Sequence, residues 1–194
     1  QENLSHLSKN SLLINALIDT SGSRSYIDSF VKSYRPEGLE TIRLTLCDFQ
    51  GNPITSNLQT PIPYKTPQLL GETVEKGLPF STVLPRAGAD KGAWFLLAYP
   101  VVWNMTGQAE GILVAEVPVV EIVDAQSFET GNDDTGFRIM SAGGVLFSRD
   151  FVDGRGFQQF EILLSTAAPM KDLGLSMRIE NHRRISLWWL IPAY

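Results

Sequence analysis

The longest apolar stretches of the chain lie between residues 94 and 122, on either side of a short polar segment. Residues 94–103 read WFLLAYPVVW, residues 104–111 are polar and contain two glycines, and residues 112–117 are again mostly apolar. Val, Ile, Leu and aromatic residues favour strands, and clusters of Asn, Thr and Gly end them. We therefore predict two long strands joined by a turn.

Towards the N-terminus the apolar residues recur with helical spacing. Residues 3–20 carry them near i, i+3 and i+4, which predicts one long amphipathic helix. The Ser-Gly-Ser segment at 21–23 would end it, because glycine adopts the left-handed conformation at helix ends and serine can cap the next helix. A second helix is predicted over residues 24–34. The apolar residues of the first helix are Leu4, Leu7, Leu12, Leu13, Ala16 and Leu17.

From residue 41 onward the apolar pattern is mostly that of strands. A segment rich in proline, residues 58–78, interrupts it and is expected to hold one short helix over residues 67–76; another short helix is expected over residues 119–125. The predicted strands cover residues 41–49, 53–57, 80–84, 94–103, 112–117, 137–140, 145–148, 157–165 and 173–180.

These elements predict an α+β fold: a long N-terminal helix, an antiparallel sheet of about five strands, and a second, smaller β-rich unit. The predicted divisions are 1–36 for the N-terminal helices, 37–126 for the larger domain and 127–184 for the smaller one. Residues 185–194 follow Arg183-Arg184 and contain two tryptophans, as the start of a truncated transmembrane segment would. The alternative is an apolar terminal strand or helix packed on the core.

Composition and motifs limit the function. A charged share of 19% and a net charge of −5, without a basic stripe, disfavour disorder and nucleic acid as a partner. The single cysteine, Cys47, excludes an intrachain disulfide and is expected to be a small buried side chain. His6 and His182 lie at opposite ends of the chain, and no standard catalytic or metal-binding motif occurs. We expect no catalytic residue, no metal site and no cofactor.

Two hairpins carry a resemblance to a known family. The order of apolar strand, Pro-Val, polar turn with glycine and Gly-Ile-Leu-Val at 94–122 resembles the last two strands of extracellular PAS-like sensor domains, the Cache (PDC) family. The strand, Asp-aromatic-x-Gly turn and short strand at 41–57 are similar to the hairpin that opens the Cache sheet. The match is loose over the whole chain and sharpest over residues 41–57 and 80–122. It implies a double Cache architecture, with a membrane-distal unit and a small membrane-proximal one.

The resemblance implies the periplasmic sensor domain of a bacterial inner-membrane receptor, in the first place a two-component histidine kinase. This fragment would have no enzymatic activity, although the full-length protein would be such a kinase. The alternatives are the sensor of a diguanylate cyclase or chemoreceptor, a protein-interaction domain without a small ligand, and a soluble enzyme or carrier. We also expect flanking transmembrane helices and a homodimer through the N-terminal helix, with Leu4 and Leu7 at the seam.

A sensor of this family binds its ligand between the sheet and the segment that covers it, in a mostly apolar pocket with a few polar groups. The segment 58–78 would be the lid. Side chains alternate along a strand, and the sequence leaves open which set faces inward. The other interpretation is that these side chains fill an ordinary core. The candidate ligand-binding residues are Tyr64, Phe80, Thr82, Arg86, Trp94, Leu96, Ala98 and Glu116.

Glu116 is the sharpest candidate, because it interrupts an apolar strand. In Cache domains that sense amino acids the matching strand reads like G-V-V-G-x-D-I, and its Asp binds the ligand ammonium group; aligned on Gly111, Glu116 falls at that Asp. A buried carboxylate is costly without a cation. Glu116 would therefore pair with a ligand amine, pair with an internal Arg or Lys, or lie on a solvent-facing edge. The family's R-x-W-Y motif is absent, so Arg86 and Lys91 are the candidates for a ligand carboxylate, and the ligand would be an amino acid, an amine or an organic acid.

Overall fold

The predicted α+β fold is confirmed by a computed structural model that describes residues 2–18, 24–36, 39–84, 92–125, 135–149, 158–163 and 173–181. The helices are α1 Glu2–Ser8, α2 Ser11–Ile18, α3 Arg24–Ser33, α4 Pro67–Leu70 and α5 Val119–Ala125. The strands are β1 Arg43–Asp48, β2 Pro53–Ser56, β3 Phe80–Leu84, β4 Trp94–Val102, β5 Ala109–Pro118, β6 Thr135–Ser141, β7 Gly144–Arg149, β8 Gln158–Leu163 and β9 Ser176–Asn181.

The N-terminal helix is interrupted where the sequence predicted one continuous helix. Asn10 separates α1 from α2: its side-chain oxygen accepts a hydrogen bond from the backbone N–H of Leu12 at 2.9 Å. Its carbonyl oxygen accepts from Leu13 at 3.0 Å. Asparagine is a favoured N-cap because its side chain replaces a missing backbone acceptor at the start of a helix. The break therefore comes from a local side-chain bond that apolar spacing does not reveal.

The larger sheet has the strand order β2-β1-β5-β4-β3, with every neighbouring pair antiparallel. The long hairpin of β4 and β5 thus includes its central strand; the two strands pair from Trp94 opposite Pro118 to Val102 opposite Ala109, with a register shift between Val101 and Val102. Both strands are buried on both faces. This explains why their sequences are almost continuously apolar instead of alternating.

The N-terminal helices pack on one face of this sheet. Leu17 of α2 lies so close to Gly111 that a Cβ atom there would be 2.7 Å from the leucine side chain. Leu4 and Leu7 are only 6% and 7% exposed within their own chain. Intrachain packing therefore leaves these two leucines little apolar surface for a dimer seam, and the homodimer through the N-terminal helix stays a prediction.

The second sheet has the order β7-β6-β9-β8, again antiparallel. The two-residue turn Ala142-Gly143 joins β6 to β7. By contacts, the chain divides into a unit of Gln1–Ser127 with Ala167–Leu173 and a unit of Phe128–Thr166 with Gly174–Tyr194. Among the described residues no helix is long and apolar enough to cross a membrane. The membrane segment predicted for residues 185–194 lies outside them.

Candidate functional site

The helices α1–α3 pack on one face of the larger sheet, and the other face carries most of the predicted site residues. We call this other face the inner face. Cross-strand register puts Thr82, Leu96 and Glu116 in one row. Phe80 and Ala98 form the next row. Side chains of paired residues point to the same side of a sheet. The structure thus settles which set faces inward, and it is the set that the candidates belong to.

The proline-rich segment covers this face, as predicted for a lid. Its Tyr64 and Leu69 pack with five buried residues of the sheet, and Leu70 and Val74 lie alongside. The predicted helix over residues 67–76 is present as α4 followed by a π-helical turn, Gly71–Glu75. The sheet residues in this cluster are Cys47, Leu96, Ala98, Ile112 and Val114.

Tyr64 is held in place by the turn between β1 and β2. The Asp48 carboxylate accepts hydrogen bonds from the backbone N–H groups of Gln50 and Asn52, at 2.9 and 2.8 Å. Gly51, in the same turn, accepts a 2.9 Å hydrogen bond from the backbone N–H of Tyr64. The Asp-aromatic-x-Gly turn that suggested the family therefore positions a site residue.

Glu116 has two intrachain partners. The Tyr64 hydroxyl donates a hydrogen bond to Glu116 Oε1 at 3.1 Å, and Arg43 Nη1 lies 3.6 Å from Glu116 Oε2. The Glu116 side chain is 4% exposed and the Arg43 side chain 26%. Of the three alternatives, pairing with an internal arginine holds in this structure. A solvent-facing edge is wrong, because β5 is the central strand of the sheet.

Arg43 and Thr45 were missed by sequence reasoning. The Arg43 guanidinium carbon lies 4.2 Å from the centroid of the Trp94 ring, a cation–π contact. Thr45 is fully buried and its hydroxyl lies 2.8 Å from that of Ser56. Both residues alternate with leucines along β1, a signal that puts them on one common face of the strand without saying which face.

The inner face lowers the acidity of its hydroxyl and thiol groups. Burial, and next the negative charge of Glu116, raise the pKa of the Tyr64 hydroxyl, so that it remains a hydrogen-bond donor. Burial, and next Asp48, raise the pKa of the Cys47 thiol to about 12. A protonated thiol is a poor nucleophile.

The candidate residues differ in where they lie. Tyr64, Trp94, Leu96, Ala98 and Glu116 are buried on the inner face. Phe80 and Thr82, on edge strand β3, are partly buried. Arg86 lies outside the described residues. Within the part of the chain that the structure describes, no group of three or more His, Cys, Asp or Glu could hold a metal ion.

Removing the Tyr64 hydroxyl is expected to cost stability. Tyr64→Phe should lower the free energy of unfolding by about 1.5 kcal/mol, since it deletes a buried hydrogen bond to a charged acceptor. Urea unfolding of the purified domain measures the loss. Tyr26→Phe, on the exposed face of α3, is the control and should change it by less than about 0.5 kcal/mol. Equal effects of both substitutions would contradict the hydrogen bond.

The Cys47 thiol is expected to be unreactive in the native protein. With its pKa raised from the model-compound value of 9.0 to about 12, the thiolate fraction at pH 8 falls by about a thousandfold, and burial hinders approach as well. Reaction with an aromatic disulfide reagent, followed by absorbance in buffer and in urea, measures this. A rapid native-state reaction would contradict the burial of Cys47.

Solved structures with the same overall fold match the chain, whereas no family model and no curated protein does. The sensor domain of the Vibrio cholerae histidine kinase DctB superposes with a TM-score of 0.57 at 16% identity, covering 93% of this chain and 88% of that one. The ligand-binding domain of the Pseudomonas fluorescens chemoreceptor CtaA, in complex with L-alanine, gives 0.57 at 13% identity, with coverages of 93% and 88%. The ligand-binding domain of the Pseudomonas aeruginosa amino acid chemoreceptor PctC, in complex with GABA, superposes with a TM-score of 0.55 at 10% identity, covering 92% of this chain and 88% of that one.

These likenesses extend over most of each chain and therefore are not confined to one of the two sheets. The chain has the fold of bacterial sensor domains, as the resemblance to the Cache family implied. At identities of 10–16% the likeness shows the fold alone. The function of this chain has to be argued from its own inner face.

Proposed function

We propose that this chain is the extracytoplasmic sensor domain of a bacterial membrane receptor and binds a small molecule at the inner face. The observation that carries the proposal is the buried Glu116 carboxylate, held by Tyr64 and Arg43 under a separate covering segment. The similar domains of CtaA and PctC hold L-alanine and GABA. A sensor role explains why a costly polar cluster is kept in an apolar sheet face.

The inner face offers both kinds of contact that a small polar ligand needs. Glu116 would accept hydrogen bonds from a ligand ammonium group, and Tyr64 lies next to it. Trp94, Leu96 and Ala98 would form the apolar wall, with Phe80 and Thr82 at its edge. Arg86, from the segment 85–91, is a further candidate for a ligand carboxylate. The ligand class is an amino acid, an amine or an organic acid.

Signalling would follow from a shift between two conformations. A ligand that contacts the sheet and the covering segment differently in the two states shifts their populations by its difference in affinity. Residues 37–126 would be the membrane-distal domain and 127–184 the membrane-proximal one, which passes the change to a transmembrane helix. The receptor would be a histidine kinase located in the inner membrane, with this domain in the periplasm and free of catalysis. DctB, a histidine kinase, has a sensor domain of this fold.

Thermal-shift screening with L-amino acids, amines and organic acids tests the proposal, followed by calorimetric titration of each hit. At least one compound should stabilise the wild-type domain and bind with micromolar affinity, and Glu116→Gln should abolish the effect. Glu75→Gln is the matched control, because Glu75 is exposed on the π-helical turn. No stabilisation by any compound would refute small-molecule sensing, and equal binding by Glu116→Gln would place the site elsewhere.

A second function has one observation in its favour. Leu96, Ala98, Ile112 and Val114 are buried, and Glu116 already has intrachain partners. A face packed in this way suits a periplasmic interaction domain that recognises a partner protein without a small ligand. The two functions differ in one result: only the sensor is stabilised by a small molecule in the absence of other proteins.

A further inference from the structure

Arg43 is the only cation that the structure shows in contact with Glu116 among the described residues. The register of the sheet creates this contact, because Arg43 on β1 lies directly opposite Glu116 on β5. The Trp94 ring, on the other neighbour of β5, faces the guanidinium at 4.2 Å. Three adjacent strands thus hold one cation beside one carboxylate.

The contact is an ion pair without a short hydrogen bond. The distance of 3.6 Å between Arg43 Nη1 and Glu116 Oε2 exceeds the roughly 2.7–2.9 Å of a charge-assisted hydrogen bond. The Glu116 carboxylate therefore has its charge compensated but retains acceptor capacity. With 26% of its side chain exposed, Arg43 also reaches the surface, whereas Glu116 does not.

Resting on the proposed function, we infer that Arg43 determines the specificity of the site. Its guanidinium compensates the same carboxylate that a ligand ammonium group would use, so such a ligand competes with it. A simple amine would pair with Glu116 and leave a largely buried arginine without its anion, which is costly. A ligand that also carries a carboxylate would supply a new anion, and guanidinium binds carboxylate with two parallel hydrogen bonds. The site is therefore selective for zwitterionic ligands over amines.

Matched pairs of probes test the selectivity: L-alanine with ethylamine, L-leucine with isoamylamine, and GABA with propylamine. Each amine is the amino acid without its carboxylate. Calorimetric titration gives the affinity ratio within a pair for the wild type, Arg43→Met, Arg43→Lys and Arg35→Met. Arg35 is the matched control, because it is exposed just after α3 and its guanidinium donates hydrogen bonds to the nearby backbone carbonyls of Lys32 and Tyr34.

The wild type should prefer the amino acid in at least one pair by about tenfold or more, and Arg43→Met should reduce that ratio by about tenfold, through weaker amino acid and tighter amine binding. Arg43→Lys keeps the charge and should retain part of the preference; if Arg43→Met does not fold, the reduced ratio in Arg43→Lys carries the test. Arg35→Met should behave as the wild type.

Three results would overturn the role of Arg43. An unchanged ratio in both Arg43 variants would refute the selectivity while the sensor function stands. If an organic acid binds and no amino acid does, the selectivity is likewise refuted while the sensor function stands. If no compound binds, either among these pairs or in the wider thermal-shift screen, the sensor function and this inference are refuted together.

Discussion

Replacing Gly51 with alanine is expected to lower the free energy of unfolding by about 3 kcal/mol, through backbone strain and overpacking. Gly51 has a φ of +76°, a conformation that an alanine adopts only with strain. An added Cβ atom would also lie 2.1 Å from the carbonyl oxygen of Tyr64. Because that contact is with backbone, relief requires a shift of Tyr64 and of its bond to Glu116, so ligand binding should weaken as well.

Gly107→Ala separates the two causes of this loss. Gly107 has a φ of +69°, and an added Cβ atom there would meet nothing within 4 Å. Gly107→Ala should therefore lower the free energy of unfolding only by the cost of backbone strain, about 1 kcal/mol, and leave ligand affinity unchanged. Urea unfolding and calorimetry of the two variants make the comparison. If Gly51→Ala lost no more than Gly107→Ala, the turn would not hold Tyr64 as described.

Removing the charge of Arg43 is expected to destabilise the domain by about 2–3 kcal/mol in Arg43→Met, because a buried carboxylate loses its cation. The partial exposure of Arg43 keeps the effect below that of a fully buried pair. Tyr64 still donates one hydrogen bond to Glu116, which also limits the loss. Urea unfolding at low salt measures the change.

The double variant Arg43→Met, Glu116→Gln distinguishes charge compensation from packing. If Arg43 mainly compensates the charge of Glu116, the double variant should lose less free energy of unfolding than the two single variants together, by about 1 kcal/mol or more. Arg35→Met should stay within about 0.5 kcal/mol of the wild type, as an exposed side chain does. Strict additivity of the two single effects would mean that Arg43 stabilises the domain through its contact with Trp94 alone.

Much of the fold could be predicted from local patterns. The strands β1 and β2, the pair β4 and β5 and the helix α5 were each expected from runs of apolar residues between turn residues. Glycine and proline mark turns by their own backbone preferences, and a strand buried on both faces has a continuous apolar sequence. These signals depend on neighbours in the chain. The break at Asn10 and the π-helical turn at 71–75 were missed, because each depends on hydrogen bonds that apolar spacing does not report.

The candidate residues were named from the sequence one by one, without the contacts that they make with each other. Tyr64 and Glu116 were both named from the sequence, and the structure joins them with a hydrogen bond. Arg43 was not named, because an arginine within an apolar strand is compatible with either face and with solvent. Its role became visible only through the register of β1 against β5.

The sequence by itself determined the α+β class, the order of the elements and the polar residues available to a site in this chain. Periodicity and turn chemistry are properties of short segments, so they can be read without the fold. Only the tertiary structure decided which sheet face is covered by residues 64–75, that Leu4 and Leu7 are buried within the chain, and that Glu116 lies beside Arg43. Such contacts join residues far apart in sequence, and the burial that gives them their energy exists only after the chain has folded.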